Sequence, residues 1–281
     1  MISIVLTHYN RTKLLERTLN SFKHYYSKYV EVIVVDDGSS NIELERLYDM
    51  RRRFNFRLIS IAAKDKWYSN PCIPFNIGID NAVGEKCILQ SAECIHLGSV
   101  IKTVDEQLQP GEFISFACYS LDKVQTKALD SMDFTTKEVN LELLDLINPP
   151  NNNLITHCEE SGWYNHSTYR PLGFHWCNAY NTNELRYKIG GFDERFATGV
   201  AYDDNEFVHR SKRDIKLRHI DTTLVLHQWH GLENYYKQKN HVIDQVKQDF
   251  NRVMFEHVTL KEQDNKNIIN HLHRIVKYVE L

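Results

Sequence analysis

Acidic side chains in this sequence follow closely on stretches that have the pattern of buried strands. Asp36 and Asp37 end the β-branched run VEVIVVDD, and Glu93 comes shortly after CILQ. Carboxylate oxygens can accept the N–H of a planar base, and they are also ligands that Mg²⁺ and Mn²⁺ prefer. Because Asp-Gly-Ser favours an ordinary turn, Asp37 taken alone is compatible with both a turn and a ligand site.

Polar residues also close the first and fourth apolar runs. Thr7, Tyr9 and Asn10 end the first run, and Gln90 and Ser91 end the fourth. A hydroxyl and an aromatic ring beside a carboxylate can grip a planar base, with Tyr9 stacked on its face. Gln90 and Ser91 are neutral partners for sugar or ribose hydroxyls. No Gly-x-Gly-x-x-Gly follows the first run, which disfavours a dinucleotide site.

These side chains need a scaffold that brings strand ends together, and the first hundred residues predict one. Apolar strand patterns alternate with helical or mixed segments, the strands at 2–6, 30–37, 57–61 and 87–90, the other segments at 12–25, 43–54 and 74–84. Such alternation predicts an α/β fold with a mostly parallel sheet flanked by helices. Ligands bind these sheets beyond the carboxyl ends of the strands, where the strand order reverses.

Composition sets the outer limits. The 281 residues, 42% hydrophobic and 25% charged, suit one large domain or one domain with an appendage. The formal net charge of -3 gives no electrostatic reason to expect nucleic acid as a partner. Neither a signal peptide nor a membrane-spanning run is predicted, which favours a cytoplasmic protein.

Four segments, in this order and at this spacing, resemble the inverting family 2 glycosyltransferases of the GT-A fold: ISIVLTHYNR, VEVIVVDDGSS, NIGIDNAVGEKCILQSAE and IGGFDERFATGVAYDDNEF. The resemblance implies a Rossmann-like sheet, a nucleotide-sugar donor, usually a UDP-sugar, and a divalent metal. It also implies transfer of a sugar, expected to be a hexose, to an acceptor hydroxyl in a single displacement. Residues placed like Thr7, Tyr9 and Asp37 hold the nucleoside in that family. Asn76 stands in the family's helix after the third strand, where a nucleotide or sugar contact is expected.

The metal motif of that family, Asp-x-Asp or Asp-Asp, should follow CILQ, and the sequence departs from it. The position of the last, metal-binding aspartate falls on Glu93, and the earlier one falls on Gln90 or Ala92. A glutamate offers the same hard oxygen ligands on a longer side chain. Similar enzymes often add a histidine in a His-Gln pair, which matches His227. Because imidazole suits Mn²⁺ better than Mg²⁺, Mn²⁺ is the expected cofactor. The alternative is a solvated Glu93 and metal-free binding.

YDDNEF packs Asp203, Asp204 and Glu206 into four positions. The dipole of a helix N-terminus stabilises acidic residues, which would explain one or two of them. After GGFDERFATG, however, the pair resembles the family's Glu-Asp pair, whose second residue is the catalytic base. The resemblance therefore assigns the base to Asp204 and acceptor binding to Asp203. Trp163 and Trp176 are candidates to cover the apolar face of an acceptor sugar, with core packing as the alternative.

The predicted division is a GT-A domain at 1–230, split into a nucleotide-sugar half at 1–110 and an acceptor half at 111–230, and a helical C-terminal extension at 231–281. The loop NPPNNN at 148–153 is a candidate boundary between a nucleotide half and an acceptor half. The C-terminal helices are expected to pack on the domain. Pairing as a homodimer and peripheral contact with a membrane surface that carries a lipid-linked acceptor are the alternatives.

The leading hypothesis is thus an inverting, metal-dependent glycosyltransferase in glycan biosynthesis, acting on a glycan, lipid-linked or protein acceptor. A non-catalytic nucleotide-sugar-binding protein with a degenerate metal motif is the alternative from another class. A nucleotidyltransferase is disfavoured, because no glycine- and lysine-rich phosphate loop follows the first strand.

Overall fold

One mixed sheet forms the centre of the described chain. This computed structural model describes residues 1–23, 29–134, 136, 138–147, 160–173, 176–231, 241–260 and 270–281. The strands are β1 (Ile2–His8), β2 (Val30–Asp36), β3 (Arg57–Ile61), β4 (Lys86–Ser91), β5 (Cys94–Leu97), β6 (Glu112–Ser120), β7 (Gly162–Asn165), β8 (Cys177–Asn181), β9 (Lys216–His227) and β10 (Tyr278–Glu280). Their order across the sheet is β10-β3-β2-β1-β4-β8-β6-β9-β5, and β7 pairs with β6.

Helices connect and cover these strands. They are α1 (Thr12–Lys23), α2 (Asn41–Arg51), α3 (Cys72–Asn81), α4 (Val100–Gln107), α5 (Lys123–Ala128), α6 (Val139–Leu146), α7 (Asp203–Asp214) and α8 (His241–Leu260). The helix predicted for 12–25 is found as far as Lys23, and residues 24–28 lie outside the described residues. The candidate boundary loop at 148–153 lies outside them too, so the division of the chain stays a prediction.

The first four strands form the predicted parallel part of the sheet. β1 pairs in parallel with β2 on one side and β4 on the other, and β3 adds beyond β2. Ile4 and Leu6 of β1 pack with side chains of α1 and α2, whereas Val5 packs with side chains of α3 on the opposite face. Burial on both faces explains why these strands are continuously apolar. At Gly78 an added Cβ would lie 2.3 Å from Val5 Cγ1, so glycine permits the close approach of α3.

The second part of the sheet is mixed. β8 is antiparallel to both β4 and β6, β9 runs parallel to β6, and β5 forms the far edge antiparallel to β9. Ile95, Tyr119 and Leu226 of this part belong to one apolar cluster with Val139 and Leu143 of α6. The antiparallel pairing places the carboxyl end of β9 next to the amino end of β5, where Glu93 lies.

The C-terminal region contributes a helix and an edge strand. α8 contacts α7, and its Asn251 and Val258 are fully buried. β10 pairs antiparallel with β3 at the other edge of the sheet, which differs from the wholly helical expectation. A strand edge offers unpaired backbone groups, and the last residues satisfy them. None of the helices in the described ranges is long and apolar enough to cross a membrane.

Candidate active site

The carboxyl ends of β1, β2 and β4 meet at one edge of the sheet. Thr7 pairs with Ser91 across β1 and β4, and His8 pairs with Asp36 across β1 and β2. The strand order reverses at β1, since the chain goes first to β2 and later, after β3, to β4 on the other side. Such a reversal leaves a crevice between neighbouring strand ends, where ligands of open α/β sheets bind. The predicted residues after the first, second and fourth strands therefore lie around one crevice.

Asn10 joins the loops that follow β1 and β2. Its backbone N–H donates to Ser39 Oγ and its Oδ1 accepts from the Ser40 N–H, both at 2.9 Å. Its φ of 51° lies in the left-handed region, which asparagine tolerates better than most residues. The structure thus gives Asn10 a loop-joining role that differs from the predicted nucleotide contact.

Asp37 lies in a polar cluster with Lys66 and Tyr68, which follow β3. Lys66 Nζ is 2.6 Å from Asp37 Oδ2, and the Tyr68 hydroxyl donates to Asp37 Oδ1 at 2.6 Å. Burial raises the pKa of Asp37, and both donors oppose that shift. The half-exposed Tyr9 ring lies at the same place, with Lys66 Nζ 4.5 Å from its centroid. A planar base on Tyr9 would therefore meet an acceptor and donors together.

Glu93, His227 and His230 form a cluster of metal-ligand type at the end of β9, here called the Glu-His-His cluster. One donor atom of each lies within 4.8 Å of the others, and both histidine Nε2 atoms are 3.5 Å from Glu93 Oε1. Within the described residues, both ring nitrogens of buried His227 lack a partner in hydrogen-bonding geometry. An unsatisfied buried polar group is costly, and a bound cation would relieve that cost.

The charges of this cluster suit a cation. Burial alone would favour the neutral acid of Glu93, but Arg11 and the two histidines hold its pKa well below the usual range. Burial lowers the pKa of His230 to about 3, so its imidazole is neutral at physiological pH. One carboxylate and two imidazole nitrogens are a donor set that Mn²⁺ accepts well. The residues present therefore fit the divalent metal that the resemblance implies.

Strand register brings Glu93 and His227 together. Cys94 of β5 stands opposite His227 of β9. Gln228 secures the contact, because its backbone N–H and its Nε2 both donate to the Glu93 carbonyl, at 3.2 and 3.0 Å. Its Oε1 accepts from buried Arg17 at 3.0 Å. Gln228 thus positions the cluster, a role that the His-Gln pair in the sequence did not itself disclose.

Gln90, a predicted nucleotide-sugar ligand, is used within the protein. Its Nε2 donates to the Cys94 carbonyl at 2.5 Å, and its Oε1 lies 2.6 Å from His96 Nε2. The side chain is fully buried and closes the turn between β4 and β5. This is a correction of the prediction, and Ser91 is the residue of the pair that borders the crevice.

Asn76 is likewise used within the protein. Its Nδ2 donates to the Phe192 carbonyl and to Glu194 Oε1, at 2.9 and 2.7 Å, and its Oδ1 accepts from the Phe192 N–H at 2.8 Å. An amide with both donors and its acceptor engaged has little to offer a ligand. Asn76 therefore anchors the loop before α7, and the predicted nucleotide contact is not carried further.

Asp203 and Asp204 begin α7. Asp203 is buried and accepts from Asn70 Nδ2 at 2.8 Å. Burial and, second, the Asp203 carboxylate raise the pKa of Asp204 to about 7. A carboxylate with this pKa is suited to accept a proton near neutral pH. Ala201 and Tyr202, directly before the pair, have left-handed φ angles of 59° and 65°. Such angles cost on the order of 1–3 kcal/mol and concentrate at functional sites.

Arg170 and two aromatic rings connect Asp204 with the Glu-His-His cluster. The positive charge of Arg170 partly offsets the rise in the pKa of Asp204 that burial and Asp203 cause. Its guanidinium carbon lies 5.2 Å from the centroid of Tyr164. Tyr164 stacks on Trp176 at 4.3 Å, and both rings meet His227 edge-on at 5.5 Å. Trp176 therefore borders the Glu-His-His cluster.

Trp163 lies elsewhere. It meets Tyr119 edge-on at 5.1 Å, and its ring centroid is 4.4 Å from His166 and 6.0 Å from Tyr169. Successive residues of a strand face opposite sides of the sheet. Because Tyr164 faces the Glu-His-His cluster, Trp163 faces away from it, and of the two predicted tryptophans only Trp176 is kept as an acceptor candidate.

Three residues of the candidate site did not come from the sequence patterns: Arg11, Lys66 and Tyr68. His230 had a signal, because it stands three positions after His227 beyond a strand. Lys66 and Tyr68 follow β3, whose carboxyl end points to the same edge. Arg11 had no signal, since its partner Glu93 is 82 residues away.

The sequence family described as glycosyl transferase family 2 matches residues 3–121. Among curated protein sequences, none matches this chain. TarS 1–349 of S. aureus in complex with UDP-GlcNAc is similar in structure, with a TM-score of 0.56, 14% identity, and coverage of 84% of this chain and 60% of that one. The mannosyltransferase PcManGT of Pyrobaculum calidifontis in complex with GDP-Man and Mn²⁺ has a TM-score of 0.50 and 15% identity, and the match covers 97% of this chain and 71% of that one. GalNAc-T7 with UDP, GalNAc and Mn²⁺ has a TM-score of 0.52 and 12% identity, and the match covers 82% of this chain and 44% of that one.

The comparisons show a fold and a partial family match. The protein has the GT-A fold of the compared glycosyltransferases, and residues 3–121, less than half of the chain, match the sequence model of glycosyl transferase family 2. At 12–15% identity the likeness to the solved structures concerns the fold. The chain spans less than two thirds of GalNAc-T7 and, in the match to the UDP-GlcNAc complex, of TarS 1–349.

Proposed function

We propose that this protein is an inverting, metal-dependent glycosyltransferase that takes a sugar, expected to be a hexose, from a UDP-sugar. The observation that carries the proposal is the Glu-His-His cluster beside the strand-end crevice, with buried His227 unpartnered among the described residues. Two of the compared structures hold Mn²⁺, and all three hold a nucleotide or a nucleotide sugar, which supports the same ligands here. In this proposal residues 1–110 bind the donor and residues 111–230 bind the acceptor.

Asp37, Lys66 and Tyr9 are the proposed base-binding residues. The imide N–H of uracil donates to the Asp37 carboxylate, a uracil carbonyl accepts from Lys66, and the ring stacks on Tyr9. Thr7 and Ser91, paired across β1 and β4, border the path of the ribose and diphosphate. Guanine also offers N–H groups to a carboxylate, and PcManGT holds GDP-Man, so GDP belongs in every binding test.

Glu93, His227 and His230 are the residues that would hold the metal. The cation, when bound, neutralises the negative charge that develops on the departing diphosphate. Imidazole ligands favour Mn²⁺ over Mg²⁺, and a second histidine strengthens that preference. The missing aspartate of the family motif is thereby replaced by a nitrogen ligand from a distant strand.

Asp204 is the proposed base of the transfer step. It accepts the proton of the acceptor hydroxyl as that oxygen bonds to the anomeric carbon, and the bond from this carbon to the diphosphate oxygen breaks on the opposite side. Attack from the opposite side inverts the configuration. Asp203 keeps the pKa of its neighbour high and binds the acceptor, and Trp176 covers an apolar face of it. The acceptor class is a glycan, a lipid-linked sugar or a glycosylated protein.

Calorimetry of UDP binding with and without Mn²⁺ tests the metal. Mn²⁺ is expected to strengthen UDP binding about tenfold or more in the wild type and to have little effect in Glu93→Ala. Glu106→Ala, an exposed glutamate of α4, is the control and should behave like the wild type. A wild-type UDP affinity that does not change with Mn²⁺ would refute the metal dependence. Absence of binding to both UDP and GDP would refute the proposed nucleotide-sugar donor.

A panel of UDP- and GDP-sugars, screened for hydrolysis with Mn²⁺, then tests catalysis. Slow hydrolysis of one donor by the wild type is expected, because water can replace the acceptor hydroxyl. Tight binding without turnover of any donor would favour the alternative, a non-catalytic nucleotide-sugar-binding protein.

A further inference from the structure

Arg11 occupies the oxygen through which Glu93 would bind a metal. Its Nη1 donates to Glu93 Oε1 at 2.9 Å, and this is the oxygen that lies 3.5 Å from the Nε2 atoms of His227 and His230. A divalent cation held by the three side chains would bond to Oε1 at about 2.1 Å. Two cations that share one oxygen at such distances repel each other strongly in a buried place. Release of the guanidinium would therefore free Oε1 of Glu93 for the metal.

The side chain of Arg11 can leave, whereas its backbone is fixed. The side chain is 37% exposed, and the ion pair that the described residues give it is the one with Glu93. The backbone N–H donates to His8 Nε2 at 3.1 Å, and His8 Nδ1 lies 2.9 Å from buried Asp36 Oδ1. The Arg11 carbonyl accepts from the N–H groups of Leu14 and Leu15 in α1, both at 3.0 Å. The long side chain of Arg11 can therefore move while its backbone stays in place at the crevice.

The donor diphosphate offers the next partner for this guanidinium. Arginine binds phosphate oxygens in a forked geometry that lysine lacks, and the contact is charge-assisted. Arg11 stands between the end of β1 and the Glu-His-His cluster, along the route from the base to the metal. A guanidinium on that route would bind the diphosphate more favourably than it would bind a Glu93 carboxylate that already holds the metal.

We propose that Arg11 exchanges partners when the donor binds: it covers Glu93 in the ligand-free protein, and it binds the diphosphate once a metal takes its place on Glu93. This inference rests on the proposed function, since it takes a nucleotide diphosphate as the ligand of the same crevice. Metal and donor then favour each other's binding through Arg11. The metal displaces the guanidinium from Glu93 and so frees it for the diphosphate, and the diphosphate binds the guanidinium and so uncovers Glu93 for the metal.

The variant Arg11→Ala separates the two partners. Binding of Mn²⁺ alone is measured by the electron paramagnetic resonance of free Mn²⁺, and UDP binding is measured by calorimetry at saturating Mn²⁺. Compared with the wild type, the variant should bind Mn²⁺ about threefold or more tightly, because the competing cation is gone, and UDP about tenfold more weakly, because a charge-assisted bond is lost. General damage to the fold would weaken both.

Lys13→Ala is the matched control, since it removes a positive charge two residues away whose exposed side chain pairs with Asp130. It should leave both affinities unchanged. Mn²⁺ affinity that stays equal or falls in Arg11→Ala overturns the covering of Glu93, and unchanged UDP affinity overturns the exchange. If the wild type binds Mn²⁺ and UDP normally, such a result leaves the proposed function standing. If it binds neither, the proposed function and this inference both fall.

Discussion

Adjacent side chains at the start of α7 have different surroundings, which suits them to different tasks. Asp203 is buried against Asn70, whereas Asp204 is partly exposed beside Arg170. The Asp203 carboxylate, added to burial, is what raises the pKa of Asp204 to about 7. Paired acids whose surroundings separate their pKa values are the usual means of setting a base near neutral pH. Sequence patterning placed the pair correctly at a helix start, but the burial that tunes it comes from distant segments.

Asp204→Asn should lower kcat by about 10²- to 10⁴-fold and keep the UDP affinity, because it removes only proton transfer. In the wild type, kcat/KM should rise with pH through about 7, where Asp204 loses its proton. Asp203→Asn removes a neighbouring negative charge, so it should shift that rise to lower pH. Rate profiles from pH 5 to 9 measure both effects. Full activity in Asp204→Asn would rule out this base, and a rise that stays in place in Asp203→Asn would rule out the coupling.

The difference between predicted and observed ligands has a physical cause. The family resemblance proposed Glu93 and His227 as ligands, and strand register brings them together, because Cys94 stands opposite His227. Whether a buried amide is free for a ligand depends instead on groups that fold next to it. Asn76 is engaged by Phe192 and Glu194, more than 100 residues away, and no local pattern reveals such a partner.

At the scale of elements, α8 holds the loop that precedes Asp204, the proposed base. Asn251 of α8 is fully buried, and its Nδ2 donates to the carbonyls of Phe196 and Ala201, at 3.2 and 2.7 Å. An added Cβ at Gly199 would lie 1.9 Å from Asn251 Oδ1, so the loop fits closely around this side chain. Asn251 therefore supports the left-handed backbone of Ala201 and Tyr202 just before α7. The periodicity of α8 predicted a helix, but not which loop it holds.

Asn251→Ala should leave that backbone without support and displace Asp204. We expect kcat to fall about tenfold or more while UDP and Mn²⁺ affinities stay near the wild-type values, because the donor crevice is built from other elements. Unfolding free energy should fall by about 1–3 kcal/mol from the lost buried hydrogen bonds. Arg252→Ala, exposed on the same helix, is the control. A loss of stability with unchanged kcat would mean that α8 only stabilises the fold.

At the scale of the whole molecule, the C-terminal segment contacts two parts of the chain that are distant in sequence. His273 Nδ1 lies 2.6 Å from Glu194 Oε1, and its Nε2 lies 2.9 Å from Asp80 Oδ2. Although burial opposes the charge, these carboxylates raise the pKa of His273 to about 9. β10 follows directly and completes the sheet beside β3. The alternation of strands and helices predicted the parallel strands, but not this last strand, because three residues at a sheet edge leave no periodic signal.

His273→Gln should show how much the charged histidine adds to stability. Its folded-state pKa lies above the ordinary value of 6.5, so its contribution is complete below about pH 6.5 and is lost as the pH rises through about 9. The difference in unfolding free energy between wild type and variant, measured by denaturant titration, should therefore shrink between these two pH values. Exposed His257→Gln should show no such trend. A constant difference across this interval would contradict the charged pair.

The distance in sequence between Glu93 and its two histidines also has a consequence for the chain during its synthesis. Gln228, which holds the histidine segment to Glu93, lies 135 residues beyond it. During synthesis the strands that form the nucleotide crevice emerge first, and the imidazoles arrive only with the end of β9. Of the three proposed metal ligands, a nascent or prematurely terminated chain that stops short of β9 contains only Glu93. Under the proposed function, capture of the cation therefore requires the chain as far as His230, and a shorter chain would lack two of the three proposed metal ligands.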